Sequence, residues 1–394
     1  MPKRTVRDLK DLAGTRVFVR VDYNVPVEGG LITDDTRIRA SLPTLQHLIA
    51  AGAQLVLASH LGRPKKGPAP ELSLAPVAKR LAELLGTPVA FVAECVGDAV
   101  ARSAQALGNG GVLLLENVRF HPEEEKNDPA FARQLVESCG ATVFVNDAFG
   151  SAHRAHASTD GVSHHLKTSV AGLLMERELR YLGMALEAPA RPFVAVLGGA
   201  KVSDKIQVIE SLLPRVDALL VGGGMAYTFF KAQGLRTAKS LVEEDKVALA
   251  KGLLERSGGK IHLPIDHVVA AAFKADAEHR VLPVSEIPDG WMGLDIGPQT
   301  AAAFAAEARA AKIVLWNGPM GVFEMAPFAE GTLAMAEALA ESPGTSIVGG
   351  GDSVAAVTQM GLAGKIDHVS TGGGASLEFL AGDPLPGVAC LQDA

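Results

Sequence analysis

The sequence predicts an α/β protein of two doubly wound, Rossmann-like domains with parallel sheets, joined by a hinge helix. Three observations carry this. Short β-branched or apolar runs alternate with longer segments of helical period along the whole chain, the pattern of a parallel sheet covered by helices on both faces. The chain has 394 residues, 48% of them hydrophobic, which exceeds the roughly 100–200 residues of one domain and suffices for two cores. Residues 175–186, bounded by Gly172 and Pro189, read as a lone helix between two strand-helix series.

In chain order, the first half offers strands at 16–21, 54–59, 112–116 and 141–146, with a shorter run at 89–92. Helical stretches such as 74–85 and 131–138 lie between them, with apolar residues recurring at three- and four-residue steps. The second half offers strands at 192–197, 218–221, 260–264, 312–316, 346–348 and 368–370, with helices at 205–213, 245–256, 301–310 and 332–340. This predicts a first domain over 1–172, a hinge helix over 173–188, a second domain over 189–380 and a tail over 381–394. Residues 62–70, with three prolines and the adjacent Lys65 and Lys66, are the nearest approach to a flexible loop.

Lys and Arg total 37 against 44 Asp and Glu, a formal charge of −7, so no broad basic face for nucleic acid or anionic lipid is implied. Any anion site must be a local cluster. Cys95, Cys139 and Cys390 are widely spaced, with no partner at metal-ligand or redox spacing, and fit a reducing, cytoplasmic setting. No apolar stretch approaches the roughly 20 residues of a membrane span, and Met1-Pro2-Lys3-Arg4 does not open a secretory signal.

In an open parallel sheet, ligands bind outside the carboxyl ends of the strands, so the residues at strand ends test for function. In the first half these are Asp22-Tyr23-Asn24, then His60-Leu61-Gly62-Arg63, then Asn117-Val118-Arg119, and Asp147 through His153-Arg154-Ala155-His156. One such Arg or His is usually a solvated loop residue; several on one edge point to an anion. In the second half the strands end in Gly198-Gly199-Ala200-Lys201, Gly222-Gly223-Gly224, Asn317-Gly318-Pro319, Gly349-Gly350-Gly351-Asp352-Ser353 and Thr371-Gly372-Gly373-Gly374. A single Gly-Gly marks a turn. Repeated glycine clusters at successive strand ends let backbone N–H groups reach phosphate oxygens, with helix N-termini adding positive potential. No G-x-x-x-x-G-K-[ST], complete G-x-G-x-x-G after a strand, H-R-D or D-F-G occurs, so none of the usual nucleotide or protein-kinase signatures applies.

The segments Arg20-Val21-Asp22-Tyr23-Asn24-Val25-Pro26, Ser59-His60-Leu61-Gly62-Arg63-Pro64, Glu116-Asn117-Val118-Arg119-Phe120, His153-Arg154-Ala155-His156, Gly198-Gly199-Ala200-Lys201-Val202-Ser203-Asp204-Lys205, Trp316 through Glu324 and Gly349-Gly350-Gly351-Asp352-Ser353 resemble, in order, the signature stretches of the phosphoglycerate kinase family. The resemblance covers essentially the whole chain. It implies phosphoryl transfer between ATP and the carboxylate of 3-phosphoglycerate, a first domain for the acid, a second for the nucleotide, a C-terminal stretch 387–394 packed on the first domain, and a monomer.

By the same resemblance, Asp22 and Asn24 contact the substrate hydroxyl, and Arg63, Arg119 and Arg154, with His60, form a basic patch for its phosphate. Arg37 lies nearest the reacting carboxylate. Planar Arg suits both anionic groups of the acid. Gly222, Gly223, Gly224, Gly293 and Leu294 would flank adenine, Glu324 would accept from the ribose hydroxyls, Lys201 and Lys205 would point toward the phosphates with backbone donors at Gly350 and Gly351, and Asn317, Pro319 and Ser353 would also belong to the nucleotide site. Asp352 is the expected protein ligand of Mg²⁺, which takes one or two carboxylates plus phosphates and water; its bland role would be to cap the helix over 354–360. Arg37 and Lys201, with backbone donors at Gly351 and Gly373, would stabilise the transferring group. Two rivals share the fold. A nicotinamide-dependent dehydrogenase would need a glycine fingerprint that neither half supplies. A non-catalytic anion-binding protein would not need Lys201, Asp352 and Glu324 beside a basic acid site.

Overall fold

Valine, leucine and phenylalanine runs become central strands because helices cover both faces of each sheet. The computed structural model describes residues 2–65, 67–187 and 189–394. One compact unit runs to Arg180 and is rejoined by Pro384–Ala394, and a second spans Tyr181–Asp383.

The first unit contains β1 (Arg16–Arg20), a small hairpin of β2 (Val27–Glu28) and β3 (Leu31–Ile32), then β4 (Gln54–Ala58), β5 (Val89–Val92), β6 (Val112–Leu115), β7 (Val143–Asn146) and β8 (Thr168–Ala171). Its helices are α1 (Thr36–Ala50), α2 (Ala75–Leu85), α3 (Asp98–Gln105), α4 (Pro129–Cys139) and α5 (Leu173–Leu186). Six strands form one parallel sheet in the order β5-β6-β4-β1-β7-β8. Val17, Phe18, Val19, Leu55, Leu57 and Leu114 are fully buried in it. Each contributes roughly 1.5–3 kcal/mol by leaving water. Local chemistry sets the helix limits, as at α4: Asp128 accepts from Ala130 N and Phe131 N (2.9 Å each), Pro129 fills the first turn, and Gly140 ends the helix at φ +63°.

The second unit contains β9 (Phe193–Leu197), β10 (Ala218–Val221), β11 (Ile261–His262), β12 (Asp266–Ala270), β13 (His279–Pro283), β14 (Met292–Ile296), β15 (Ile313–Asn317), β16 (Thr345–Gly349) and β17 (His368–Val369). Its helices are α6 (Ile206–Leu212), α7 (Ala226–Ala232), α8 (Val247–Arg256), α9 (Pro298–Ala310), α10 (Glu330–Glu341), α11 (Gly351–Gln359) and α12 (Gly374–Ala381); α13 (Pro386–Ala389) belongs to the first unit. The main sheet is again parallel and six-stranded, in the order β11-β10-β9-β15-β16-β17. The α/β class and the two parallel sheets expected from the sequence are therefore present.

Several boundaries differ for one physical reason. The strands expected over 16–21, 54–59 and 112–116 stop at Arg20, Ala58 and Leu115. The ladders run out just beyond, where Val21 N still donates to Ala58 O (3.1 Å) and Glu116 N to Glu94 O (3.3 Å), and the polar residues that follow turn onto the sheet edge. The strand expected over 260–264 shrinks to Ile261–His262, short of Pro264, which has no N–H to donate. The sequence reading names neither β8 nor the antiparallel three-stranded sheet β13-β12-β14. Within it β13, sequence HRVLP, is largely exposed and shows no apolar run, whereas β12, sequence DHVVA, is buried throughout and carries a short one that the sequence reading passes over. Nor does it name α1, whose period is interrupted by Pro43, or α3, α7, α12 and α13.

The helix expected over 175–186 begins at Leu173, and the division between units falls within it, between Arg180 and Tyr181. Lys66 of the expected loop and Ala188 at the end of the expected hinge lie outside the described residues. Asp147 at the end of β7 starts α5, accepting from Leu174 N (2.9 Å) and Met175 N (3.2 Å). Burial pushes its carboxyl up to about 7. Gly172 has no alternative there, since a Cβ would stand 2.0 Å from Asp147 Oδ1. The C-terminal stretch is bonded into the first unit: Asn146 Nδ2 donates to Gly387 O (2.8 Å), Gly387 N to Ala152 O (2.9 Å), and Lys3 pairs with Asp393 (2.8 Å).

Candidate active site

Each parallel sheet reverses direction once. In the first unit the chain leaves β1 toward β4 and later returns to β7 on its other side; in the second it leaves β9 toward β10 and returns to β15. The crevice at such a switch point is where loops from adjacent strands diverge and ligands enter. Both sets of sequence-predicted residues follow strands flanking these points.

In the first unit, Asp22 and Asn24 follow β1, Arg37 stands in the first turn of α1, His60 and Arg63 follow β4, Arg119 follows β6 and Arg154 follows β7. Arg37 Nη1 lies 3.3 Å from Asp22 Oδ1 and donates to Asn24 O (3.0 Å). Asn24 Oδ1 accepts from Gly62 N (2.8 Å), and Arg119 Nη1 donates to Gly62 O (3.0 Å). The loops after β1, β4 and β6 are thereby tied into one edge. Asp22, 9% exposed, holds Arg37 within the protein and so has a structural role beside any contact with substrate. Arg154 is exposed, with Nε 3.1 Å from His153 Nε2, and its charge reaches Arg119. Arg63 is exposed on its loop, and no side-chain bond holds it among the described residues.

His60 is buried beside Arg20, Arg119 and Arg37; burial first, then these cations, pull its pKa well below the ordinary value. Both effects favour the neutral imidazole at neutral pH. Burial and Arg119, Arg20 and Arg154 likewise pull His156 down to about 4. The edge thus carries guanidinium charge and neutral ring donors, a composition suited to phosphate and carboxylate.

In the second unit the glycine clusters separate into two kinds. A Cβ on Gly198 would meet Pro319 O at 2.1 Å, one on Gly318 would meet Gly198 O at 2.2 Å, and one on Gly223 (φ +67°) would meet Gly199 N at 2.6 Å. These glycines let three loops interlock. Gly222 accommodates Met320 Sδ, and Gly293 accommodates Tyr227, whose Oη would lie 1.4 Å from an added Cβ. By contrast, nothing lies within 4 Å of a Cβ on Gly351, Gly373 or Gly374. Gly350 (φ +86°) and Gly373 (φ +53°) cap α11 and α12, so two helix N-termini open onto free space. Such ends receive anions.

Beside the first turn of α11 is a cavity of about 660 Å³ lined by Gly223, Gly293, Leu294, Pro319, Glu324 and Asp352, among others. Its apolar walls, including Leu241, Phe230 and Ile296, fit a flat heterocycle. Glu324 is exposed on the wall. Lys205 is 8% exposed and its ammonium donates to Asn317 Oδ1. Burial pulls it down to about 8, partly offset by Asp204 and Asp352. Lys201 is exposed on the loop after β9. Ser353 is buried, and its Oγ accepts from Gly318 N (2.5 Å), so its hydroxyl is engaged within the protein.

Among the described residues no group of three or more His, Cys, Asp or Glu could hold a metal unaided. Asp352 is a single exposed carboxylate in the first turn of α11; the cap is Gly350, so the capping role expected for Asp352 is not the one it has. One carboxylate beside a phosphate-receptive surface suits Mg²⁺, which fills its remaining positions from phosphate oxygens and water.

Sequence reasoning missed Arg20, Glu124 and Ser158, which form a buried network beneath the first edge, and Asp295, a cavity residue whose carboxyl accepts from Ile296 N and Gly331 N (2.8 Å each). Arg20 carried a signal, a charge inside an apolar strand run. Glu124 carried none, since Glu123-Glu124-Glu125 reads as a solvated acidic turn.

The family model for phosphoglycerate kinase matches residues 6–383. The chain is 60% identical over 396 residues to the phosphoglycerate kinase of Moorella thermoacetica, covering 100% of both chains. It is 58% identical to the cytosolic phosphoglycerate kinase of Triticum aestivum, covering 100% of this chain and 99% of the other. Among solved structures, the phosphoglycerate kinase of Coxiella burnetii aligns with a TM-score of 0.89 at 42% identity, over 99% of this chain and 98% of that one.

Proposed function

The chain belongs to the phosphoglycerate kinase family and has the function of a phosphoglycerate kinase; from that premise we propose how its residues act. The enzyme transfers the γ-phosphoryl group of ATP reversibly to the carboxylate of 3-phosphoglycerate, giving 1,3-bisphosphoglycerate and ADP, a step of glycolysis and gluconeogenesis. The carrying observation is the contrast between edges: guanidinium and imidazole groups at one switch point, the first turn of α11 beside a largely apolar cavity at the other.

The acid lies on the first edge, its hydroxyl toward Asp22 and Asn24, its phosphate toward His60, Arg63, Arg119 and Arg154, and its carboxylate toward Arg37. The nucleotide lies on the second edge. Its base enters the cavity by Gly222, Gly223 and Gly293, its ribose meets Glu324, and its phosphates meet Lys201, Lys205, Asn317, Pro319 and the backbone of Gly350, Gly351 and Gly373, with Ser353 bracing that loop. Asp352 would hold Mg²⁺, which neutralises phosphate charge when bound.

A substrate carboxylate oxygen attacks the γ-phosphorus; the new O–P bond forms as the bond to the bridging oxygen breaks, and ADP leaves with that electron pair. The attacking carboxylate is ionised at neutral pH, so no general base is required. Catalysis consists of positioning and of stabilising charge on the transferring group by Arg37, Lys201 and the amides of Gly351 and Gly373. Direct transfer requires the acid-binding and nucleotide-binding units to close on one another and exclude water. A monomeric enzyme is proposed on the family resemblance alone. Three free thiols and the Triticum relative's cytosolic name support a cytoplasmic setting.

A coupled assay with ATP, Mg²⁺ and 3-phosphoglycerate tests the reading, with turnover expected and NAD reduction or inactivity contradicting it. Arg37→Ala is expected to lower kcat by roughly 100-fold or more with nucleotide affinity nearly kept, as for loss of a transition-state contact. Normal turnover in that variant removes Arg37 from the catalytic set.

A further inference from the structure

Arg20 ends β1 at 1% exposure, after the apolar Val17, Phe18 and Val19. Its guanidinium is held on three sides. Nε donates to Ser158 Oγ (2.8 Å), Nη1 donates to Val21 O, and Nη2 lies 3.1 Å from His60 Nδ1. Ser158 Oγ in turn donates to Glu124 Oε1 (2.6 Å), and Ser158 N donates to Glu124 Oε2 (2.9 Å). Ser158 and Glu124 are fully buried, and His60 is 5% exposed.

Arg20 fixes the direction of each bond it makes, and Glu124, whose carboxyl burial raises against the opposing pull of Arg20 and Ser158, accepts from Ser158 in its ionised form. A guanidinium has only donors and an ionised carboxylate only acceptors. The serine hydroxyl therefore accepts from Arg20 and gives its own proton to Glu124. At the other end His60 Nδ1 can only accept. A neutral imidazole has one N–H, so its proton resides on Nε2, which bonds to no protein group among the described residues.

From this one-way chain we infer that Glu124 and Ser158 are positioning residues: they hold Arg20 so that His60 is locked in the tautomer bearing its proton on Nε2. The inference deepens the functional reading above and rests on it for what that proton meets, namely an anionic oxygen of the acid substrate. The lock supplies a donor that needs no protonation step, on an edge where burial, and then the neighbouring guanidiniums, disfavour a charged ring. Without it, the ring would divide between two tautomers and present a lone pair to the anion for part of the time.

The test is ¹⁵N NMR of the full-length enzyme labelled at histidine, with the His60 signals assigned by their loss in His60→Gln. In the free wild-type enzyme at neutral pH, Nδ1 is expected to show the shift of an unprotonated ring nitrogen and Nε2 that of a protonated one. A protonated Nδ1 overturns the inference before any variant is made. Ser158→Ala, and Arg20→Met combined with Glu124→Gln so that no buried charge is left alone, are expected to move both shifts toward the tautomer average. In the same variants KM for 3-phosphoglycerate should rise about tenfold while kcat changes less than about threefold, the pattern of a lost ground-state contact. Unchanged shifts in folded variants, or averaged shifts with unchanged KM, sink the positioning role. Failure of the functional reading shows separately, as absence of turnover in a wild-type enzyme whose tautomer is already known.

Discussion

A lysine that burial has weakened reports directly on the anion it serves. Lys205 is held down to about 8 by desolvation, although Asp204 and Asp352 act to raise it. A polyphosphate placed by the proposed site adds negative charge and moves its pKa back toward the ordinary value near 10.5. In the window between those values the free enzyme carries Lys205 largely neutral and the complex carries it charged. ADP binding is therefore expected to take up close to one proton at about pH 9 and almost none near pH 6.5, where Lys205 is charged in both states. Calorimetry in buffers of different ionisation enthalpy measures this, and Lys205→Met should abolish the uptake. Uptake that persists in the variant assigns the proton to another group. At this scale the sequence was readable wherever a polar residue interrupts an apolar run, as at Asp22, His60 and Arg119. It was silent where both partners of a contact look solvated in one dimension: nothing in Glu123-Glu124-Glu125 marks the middle residue as the buried one.

Glycine clusters at strand ends point to phosphate as a set, yet the elements they join use them for two purposes. Gly198, Gly223 and Gly318 are glycines because the loops after β9, β10 and β15 touch backbone to backbone, whereas Gly351 opens α11 onto free space. Sequence spacing cannot tell these apart, because the difference is what lies opposite each Cα. The parallel strands were legible as apolar runs buried on both faces; β13 was not, since it is largely exposed and carries no apolar run, whereas β12 does carry a buried one and was passed over. Substitution separates the two uses. Gly351→Ala adds a methyl where nothing lies within 4 Å and φ is not positive, so the fold is expected to keep or slightly gain stability, by up to about 1 kcal/mol. The same methyl stands before the amides at the helix N-terminus, so kcat/KM for ATP should fall roughly tenfold or more. Gly223→Ala meets Gly199 N at 2.6 Å with φ +67° and is expected to cost about 3 kcal/mol of stability. Thermal denaturation beside steady-state kinetics reads both, and a Gly351→Ala enzyme of normal activity excludes its amide from phosphate contact.

The chain as a whole repeats one design twice, a six-stranded parallel sheet with its candidate residues beside the switch point, and that repetition was visible in the alternation of strand and helix patterns. The return of the C-terminus was not, because Gly387 is held through backbone groups, Ala152 O and its own carbonyl to Asn146, which leave no trace in side-chain pattern; only the family resemblance anticipated it. In the proposed mechanism neither unit completes the reaction, because the attacking oxygen is bound by one and the phosphorus by the other. In-line transfer brings reacting atoms to about 3–3.5 Å, so the binding energy of both substrates must favour a closed arrangement over open ones. A ligand shifts such an equilibrium only by its differential affinity for the two states, and each substrate alone touches one unit. Small-angle scattering is therefore expected to show a smaller radius of gyration with 3-phosphoglycerate and an unreactive ATP analogue together than with either alone. The Arg37→Ala enzyme, missing the contact nearest the reacting carboxylate, should compact less under the same ligands. A radius unchanged by the pair in an enzyme that turns over would place both substrates within reach without closure, and the two-edge mechanism would have to be redrawn around a single site.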